Sequence, residues 1–128
     1  MRVLLDTHCF LWFIAGSDSL SVTARLLIED PHNRPLLSMA NLWEMAIKLS
    51  IGRLSLGRPF ETLIPEQMRL NGIGLLHIQT THVVAVSKLP FHHRDPFDRL
   101  LIAQSMVEQI PIVSGDLAFD PYGIKRLW

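Results

Sequence analysis

The sequence has little cysteine, no excess of charge of either sign and no long apolar run. Its 128 residues include one cysteine, Cys9, so an intrachain disulfide is excluded and a reducing, cytoplasmic setting is expected. The longest unbroken apolar stretch covers residues 9–15, far short of the roughly 20 residues that span a bilayer. Asp6 and His8 interrupt the apolar start of the chain, so we expect neither a signal peptide nor a membrane span.

Charge is balanced over the chain, with 12 Lys and Arg against 12 Asp and Glu and a formal net charge of zero. This balance argues against a protein that coats nucleic acid by bulk positive charge, although it does not exclude a local basic patch. Because 48% of the residues are hydrophobic, a disordered tail is excluded as well. The length is that of one domain with its own core, and we expect this single domain to cover residues 1–128.

Short apolar runs alternate with helical patterns along the chain. The apolar runs predict strands at 2–5, 35–37, 74–78, 111–113 and 124–128. The helical patterns predict helices at 7–15, 20–29, 39–51, 60–70, 81–88 and from the Asp95-Pro96 step to about Glu108. Alternation of this kind predicts an α/β fold with a parallel sheet covered on both faces. Ligands of such folds bind outside the carboxyl ends of the strands.

Three carboxylates are expected at that edge of the sheet. Asp6 ends the first strand and Asp116 follows the fourth. Asp98 lies near the start of the last long helix. Asp95 is predicted to cap that helix, because the proline that follows it, Pro96, favours the first helical position.

A fourth carboxylate lies in the middle of a predicted amphipathic helix. Glu44 falls on a stripe with Ala40, Ile47 and Ile51 when residues 39–51 are wound as a helix. A carboxylate beside an apolar stripe is costly unless a partner or a metal ion compensates its charge. Glu44 is therefore a candidate for the same site.

Each of these acids also has a purely structural interpretation. Asp6 could cap the first helix, and Asp116 could be a turn residue. Glu44 could form an ion pair with Lys48 one helical turn on, and Asp98 could belong to a capping arrangement. These interpretations weaken when the acids are taken together, because all of them are predicted near one edge of the sheet.

Several carboxylates in one pocket repel each other, which raises their pKa values or requires cations. Oxygen ligands of this kind suit Mg²⁺ or Mn²⁺. Such ions activate water and stabilise the charge that develops on a phosphodiester. The residues therefore predict metal-assisted hydrolysis of a phosphodiester bond.

Four short motifs carry a family resemblance. They are Leu4-Leu5-Asp6-Thr7-His8, Ser38-Met39-Ala40-Asn41-Leu42-Trp43-Glu44, His93-Arg94-Asp95-Pro96-Phe97-Asp98-Arg99 and Ser114-Gly115-Asp116, in that order. With them the chain resembles the PIN-domain family, and specifically the VapC-type toxins of bacterial toxin–antitoxin systems, over essentially its whole length. The resemblance implies a three-layer α/β/α sandwich with a mostly parallel sheet of about five strands.

The resemblance also implies an activity and the residues that perform it. The activity would be endoribonuclease cleavage that depends on Mg²⁺ or Mn²⁺. The family's acidic positions, which would hold the metal and carry catalysis, match Asp6, Glu44, Asp98 and Asp116. Thr7 and Ser114 would be polar neighbours that orient ligands or water. The chain would form a homodimer and would be held inactive by a small antitoxin protein.

Contacts to RNA must come from clustered cations, because the net charge is zero. The candidates near the acidic motifs are Lys48, Arg53, Arg94 and Arg99, of which helical spacing favours Lys48 and Arg99. With the site acids set aside, the remaining residues carry an excess of about four positive charges.

Other residues that attract attention have simpler interpretations. His92 and His93 are adjacent on a loop, and no third His or Cys has ligand spacing, so a zinc site is not expected. Cys9 is predicted to be a small buried hydrophobe, and His8 to pack in the interior. Trp43 is predicted to belong to the core or to an interface, and not to a base-stacking surface.

Two alternatives come from other functional classes. A receiver-like signalling module also has acids near strand ends, but it needs a lysine on a late strand. Lys125 is the only candidate for that lysine here, and its sequence context is wrong. Phosphate incorporation from a small phosphodonor would favour that module. A degenerate PIN domain that acts only as an interaction partner is the other alternative, and the presence of all the predicted acids argues against it.

Overall fold

Strands and helices alternate along the chain in the structure, a computed structural model that describes residues 1–128. The strands are β1 (Arg2–Leu5), β2 (Arg34–Ser38), β3 (Gly74–Leu76), β4 (Ile112–Val113) and β5 (Arg126–Leu127). The helices are α1 (Thr7–Ala15), α2 (Val22–Glu29), α3 (Met39–Ser50), α4 (Phe60–Leu70), α5 (Thr80–Ser87) and α6 (Pro96–Glu108). None of these helices has both the length and the apolar character needed to cross a bilayer.

All strands are parallel and form one sheet in the order β3-β2-β1-β4-β5. The first strand is therefore central, and the chain winds outward from it, first to one side and then to the other. The point where the winding reverses lies between β1 and β4, and a crevice forms there at the carboxyl ends of the two strands. The predicted α/β architecture with a five-stranded parallel sheet is confirmed.

Two apolar clusters lie on opposite faces of the sheet, because successive side chains of a strand point to opposite faces. Val3 and Leu5 of β1 pack in one cluster with Phe10 of α1 and Ile64 of α4. Leu4 packs in the other cluster, whose further members come mainly from α6 and the chain around β4. Burial on both faces explains why β1 is a continuous apolar run.

Some element boundaries differ from the sequence prediction. Helix α2 begins at Val22 and not at Leu20, because the Ser21 hydroxyl accepts the Ala24 backbone N–H at 3.0 Å and so caps the helix there. The edge strands are shorter than predicted. A 3-10 helix over Leu117–Tyr122, which the periodicity did not predict, follows β4.

The strand order also bears on the receiver-like alternative. Receiver domains share the flavodoxin-like order 2-1-3-4-5, in which the first strand is second from one edge. Here the first strand has β2 on one side and β4 on the other, and β3 is an edge strand. The receiver-like interpretation is therefore not supported.

Candidate functional site

The carboxyl ends of β1 and β4 bring Asp6 and Ser114 together. Asp6 directly follows β1, and its backbone N–H donates to the Val113 carbonyl of β4 at 3.0 Å. The Ser114 hydroxyl donates to Asp6 Oδ2 at 2.8 Å and accepts the Asp116 backbone N–H at 3.0 Å. Asp6 occupies the N-cap position of α1, but its side chain makes no capping hydrogen bond. Its carboxylate therefore faces the β4 loop instead of serving α1.

A chain of hydrogen bonds places Glu44 beside the end of β1. Asn41 accepts the Ser38 backbone N–H at 2.7 Å in a capping box at the start of α3, and its Nδ2 donates to Thr7 Oγ1 at 2.8 Å. Thr7 Oγ1 in turn donates to Glu44 Oε1 at 2.6 Å. The second carboxylate oxygen, Oε2, forms an ion pair with Lys48 Nζ at 2.8 Å. Both oxygens of Glu44 are thus held by this chain's own side chains.

Asn41 is a site residue that the sequence analysis did not single out. It is almost wholly buried, and it links α3 to the residue that follows Asp6. The Ser-x-x-Asn spacing at Ser38–Asn41 resembles a capping box and is the signal that could have found it.

The buried face of α3 is not the predicted apolar stripe. Ala40, Glu44 and Met45 are buried, whereas Ile47 and Ile51 lie at the surface. The predicted stripe is therefore wrong for both isoleucines. Glu44 is buried by its polar contacts and by the packing of α3 on the sheet, and the surface of α3 remains unusually apolar.

Helix α6 presents Asp98 to the same region. Asp95 caps α6, as predicted, since its Oδ1 accepts the backbone N–H groups of Phe97 and Asp98 at 2.9 and 3.0 Å. Because Asp95 meets the capping requirement, the side chain of Asp98 is free for another role. Its Oδ2 lies 3.5 Å from Nε2 of His93, a motif residue to which the sequence assigned no role beyond that of an unexpected zinc ligand.

Asp116 lies at the exposed rim of this region. Its Oδ1 accepts the Ala118 N–H at 2.9 Å and so caps the 3-10 helix, which agrees with the structural interpretation of this residue. The preceding glycine packs closely against the side chain of Trp128, because a Cβ at Gly115 would meet that ring at 2.9 Å. The loop that carries Asp116 is therefore held close to the end of the sheet.

Burial and mutual repulsion raise the pKa values of acids in this region. The pKa of Asp98 is raised from its ordinary 3.8 to about 8, chiefly by burial. The negative charges of Asp95, Asp6, Glu44 and Asp116 supply the rest of that rise. Burial also raises the pKa of Asp6, and the Ser114 hydrogen bond and His8 oppose that rise. At neutral pH, Asp98 therefore carries a proton unless a cation offsets the surrounding charge.

The donor chemistry of the region fits a hard divalent cation. Its acids supply only oxygen ligands, and a cation would offset both the burial and the repulsion that raise the pKa of Asp98. However, no group of three or more His, Cys, Asp or Glu side chains is arranged as a ready metal-binding cluster. The Lys48 ion pair and the Thr7 and Ser114 hydroxyls hold the carboxylates individually. The four-carboxylate metal site stays a prediction.

A groove of about 680 Å³ runs beside this acidic region. Lys48 and Arg53 line it together with His8 and Trp12 of α1. His8 is exposed and its ring packs against Trp12 at a centroid distance of 5.7 Å, so the prediction that it is buried is wrong. Arg94 is exposed, and it is not among the residues that line the groove.

Arg99 does not face a ligand, contrary to its preferred place among the predicted RNA contacts. It is buried, and its guanidinium donates to the Val86, Leu89 and Pro90 carbonyls and to the Tyr122 hydroxyl, at 2.8–3.4 Å. The side chain ties α6 to the end of α5 and to the segment that follows it. Sequence spacing placed Arg99 beside Asp98 but could not reveal that its direction on α6 is inward.

Cys9 is buried, as predicted. Burial, followed by the negative charge of Asp6, raises the pKa of its thiol to about 12. The thiol therefore stays protonated and has no place in the chemistry of the site.

We predict that Arg99→Met destabilises the fold whereas Arg94→Met does not. Removing the buried guanidinium takes the side-chain donor from the Leu89 and Pro90 carbonyls and one of two donors from the Val86 carbonyl, at a cost of about 3 kcal/mol. Arg94 is exposed, so its replacement should change the free energy of unfolding by no more than about 0.5 kcal/mol. Urea unfolding measures both values, and equal stability of the two variants would contradict the structural role.

We predict that the chain loses stability as the pH rises when divalent cations are removed. Asp98 binds its proton more tightly in the folded chain, with a pKa of about 8, than in the unfolded chain, where it is 3.8. The folded state therefore holds more protons between these values, and the free energy of unfolding falls as the pH rises through them. Asp98→Asn should remove most of that slope.

The test compares urea unfolding in EDTA at about pH 5 and about pH 8. Asp18→Asn, an equivalent change at an exposed position, is the matched control and should keep the wild-type slope. A wild-type slope in Asp98→Asn would show that Asp98 is not the group responsible.

Comparison with known proteins places this arrangement in a family. The family described as PIN domain matches residues 3–125 of the chain. One curated relative, Ribonuclease VapC16 of Mycobacterium tuberculosis, is 33% identical over 67 residues. That match covers 52% of this chain and 47% of the relative, so the aligned part spans about half of each protein.

Solved structures share the fold over the whole chain at low sequence identity. VapBC2 from Rickettsia felis, bound to a DNA fragment from its promoter, matches with a TM-score of 0.67 and 13% identity, over 99% of this chain and 98% of that one. VapBC-1 from nontypeable Haemophilus influenzae gives 0.68 and 14%, over 99% and 97%. FitAcB from Neisseria gonorrhoeae gives 0.60 and 15%, over 98% and 96%. With the family match extending over residues 3–125, the chain belongs to the PIN domain family.

Proposed function

We propose that this PIN domain protein is an endoribonuclease toxin of the VapC type that acts on RNA in the cytoplasm with Mg²⁺ or Mn²⁺. The observation that carries the proposal is the environment of Asp98. Its carboxyl is partly buried within electrostatic reach of Asp6, Glu44 and Asp116, at the carboxyl ends of the central strands. A site that gathers acids at an energetic cost is suited to a cation. The relative named as a ribonuclease supports RNA as the substrate.

The acids have different parts in this proposal. Asp6, Glu44 and Asp98 would hold the cation, and Asp116 would contribute from the rim. When bound, a divalent cation supplies an activated water and offsets charge on the phosphodiester and its leaving oxygen. Thr7 and Ser114 keep the Glu44 and Asp6 carboxylates oriented through their hydroxyl hydrogen bonds. Burial of Asp6 and Glu44 keeps competing water away from both carboxylates.

The groove beside the acids is the proposed path of the RNA backbone. Arg53 and Lys48 are the cations on its wall, where seven of the eleven lining residues are hydrophobic. Lys48 is paired with Glu44, so Arg53 is the main candidate for a phosphate contact. Arg94 stays a candidate for a contact outside the groove. Arg99 is not part of this proposal, because its donors are directed to backbone carbonyls and to Tyr122.

A nuclease assay tests the assignment directly. The wild-type chain should cleave single-stranded RNA in Mg²⁺ or Mn²⁺ and lose that activity in EDTA. Asp98→Asn should lower cleavage at least about 100-fold, the scale expected when one charged group of a preorganised site is lost. Asp18→Asn, the matched exposed variant, should cleave at the wild-type rate.

Cleavage that persists in EDTA, or full activity in Asp98→Asn, would refute the metal-dependent mechanism. A wild-type chain that binds a partner but cleaves no RNA under any of these conditions would favour the non-catalytic alternative.

The proposed groove makes a separate prediction about affinity. Arg53→Gln should raise KM for RNA and leave kcat nearly unchanged, because Arg53 would contact phosphate without touching the reacting bond. It should also reduce the salt dependence of binding by about one phosphate contact. Arg69→Gln, at an exposed position on α4, is the control. If Arg69→Gln weakened binding as much as Arg53→Gln, the groove would not be the binding path.

We also propose the protein partners that the family resemblance implies. The structural neighbours include the VapBC2 and VapBC-1 assemblies, which supports a small antitoxin as the inhibitor of this chain. A homodimer is supported by the outer face of α3, which carries Met39, Trp43 and Ile47 and continues to Ile51 at its C-cap, all at the surface. These side chains recur every fourth residue, so they form one continuous apolar stripe that a second copy of the chain would cover.

Light scattering tests the dimer. The wild-type chain should have a mass of twice 14.6 kDa, and Ile51→Glu should shift it toward the monomer by placing a charge on the stripe. Val22→Glu, on the exposed surface of α2, is the control and should remain dimeric. A monomeric wild-type chain would refute the proposed homodimer.

A further inference from the structure

A second chain of hydrogen bonds lies behind the Asp98 carboxyl, and only its Arg99–Tyr122 bond has a role assigned above. Its centre is the Tyr122 hydroxyl, at the end of the 3-10 helix, where the ring is almost fully buried. This hydroxyl accepts the His93 backbone N–H at 3.2 Å and an Arg99 guanidinium N–H at 3.3 Å. It also lies 2.8 Å from His93 Nδ1. The network ends at the His93 ring, which is directed to Asp98.

The hydrogen bonds determine which nitrogen of His93 carries the proton. A hydroxyl oxygen has two lone pairs, and the His93 and Arg99 N–H groups use both of them at Tyr122. The only remaining role for this oxygen toward Nδ1 is to donate its own proton. Nδ1 is then an acceptor, so a neutral imidazole carries its hydrogen on Nε2.

The protonated nitrogen has no other partner. Nε2 of His93 is buried and forms no hydrogen bond, but it lies 3.5 Å from Asp98 Oδ2. This separation is too long for a good hydrogen bond and short enough that a small movement of either side chain would form one. A buried N–H without an acceptor is costly, which favours that movement.

The surroundings keep the imidazole in place. Arg99, whose guanidinium holds the Tyr122 hydroxyl, also donates to the Pro90 carbonyl at 2.8 Å. The His93 ring packs edge-on against Tyr122 at a centroid distance of 5.3 Å. The ring therefore has little freedom to turn its Nε2–H away from Asp98.

We propose that His93 is a positioning residue for Asp98: Tyr122 fixes the Nε2–H form of the ring, and that N–H holds the orientation of the Asp98 carboxyl group through Oδ2. The role in catalysis rests on the proposed ribonuclease function, whereas the hydrogen-bonding form of the ring does not. His93 touches neither RNA nor cation in this proposal. It acts through Asp98, as residues that orient metal-binding carboxylates do in other proteins.

Paired substitutions at His93 separate donation from mere packing. Gln places an amide N–H near the position of imidazole Nε2, whereas the shorter Asn reaches only the position of Nδ1. His93→Ala and His93→Asn should lower kcat by about 10–100-fold and weaken Mn²⁺ binding to a similar extent, with KM for RNA unchanged. His93→Gln should retain most of the wild-type kcat and Mn²⁺ affinity.

Two further variants test the role of Tyr122 and provide a control. Tyr122→Phe removes the hydroxyl that fixes the ring and should lower kcat by less than His93→Ala does. His92→Ala is the control, because His92 is exposed and packs against the Tyr122 ring in a T-shaped pair without a hydrogen bond in the network. It should match the wild type.

A readout that needs no activity is the NMR spectrum of the chain. The ¹⁵N shifts of His93 should show the proton on Nε2 in the wild type and a mixture of both forms in Tyr122→Phe. Side-chain couplings should show one Asp98 rotamer in the wild type and in His93→Gln, and averaging in His93→Ala.

Wild-type activity in His93→Ala and His93→Asn would overturn the inference, as would a loss in His93→Gln equal to that in His93→Ala. These results leave the proposed function intact if Asp98→Asn is inactive. If no variant and no wild-type chain cleaves RNA, the proposed function fails and NMR decides the inference. In that case, a proton on Nδ1, or an Asp98 rotamer that does not respond to His93→Ala, overturns it.

Discussion

The burial of carboxylates that lie close enough to repel one another is the constraint on which the rest of this site depends. Asp98 is placed where burial and several neighbouring acids oppose its ionisation, and Asp6 is placed where burial opposes its own. The fold tolerates this because Glu44 has Lys48 and Thr7 as partners and Asp6 has the Ser114 hydroxyl. Asp98, by contrast, has only the distant Nε2 of His93 within reach. The least compensated acid is therefore the one whose state a cation would change most.

The winding of the chain explains why these acids meet. Strand β1 is central, and β4 is added beside it only after the chain has completed the other side of the sheet. Asp6 and Ser114 are consequently 108 residues apart in sequence and yet joined by a hydrogen bond. The polar residues at the ends of these strands are held by one another and by α3, so local capping does not consume Asp6 or Glu44. Where a cap is needed, Asp95 supplies it for α6.

Much of the fold and part of the site follow from the sequence. Strand β1 and the limits of α1 and α4 could be predicted because apolar runs and helix-ending glycine or asparagine define them locally. Asp95 could be predicted as a cap because Pro96 fixes the start of its helix. The direction of Arg99 could not, since the carbonyls that it meets belong to a segment whose path depends on the packing of α5 against α6. His93 was missed for the same reason: its significance comes from Tyr122, 29 residues later.

The burial of Cys9 has a practical consequence for work on this chain. Its thiol has a pKa of about 12 and is the only one present, so it remains protonated and shielded at the pH used for maleimide or iodoacetamide labelling. A cysteine introduced at the surface would therefore react selectively without removal of the native residue. Fluorophores or spin labels can thus be attached at a chosen point while the packing beneath Asp6 stays unaltered.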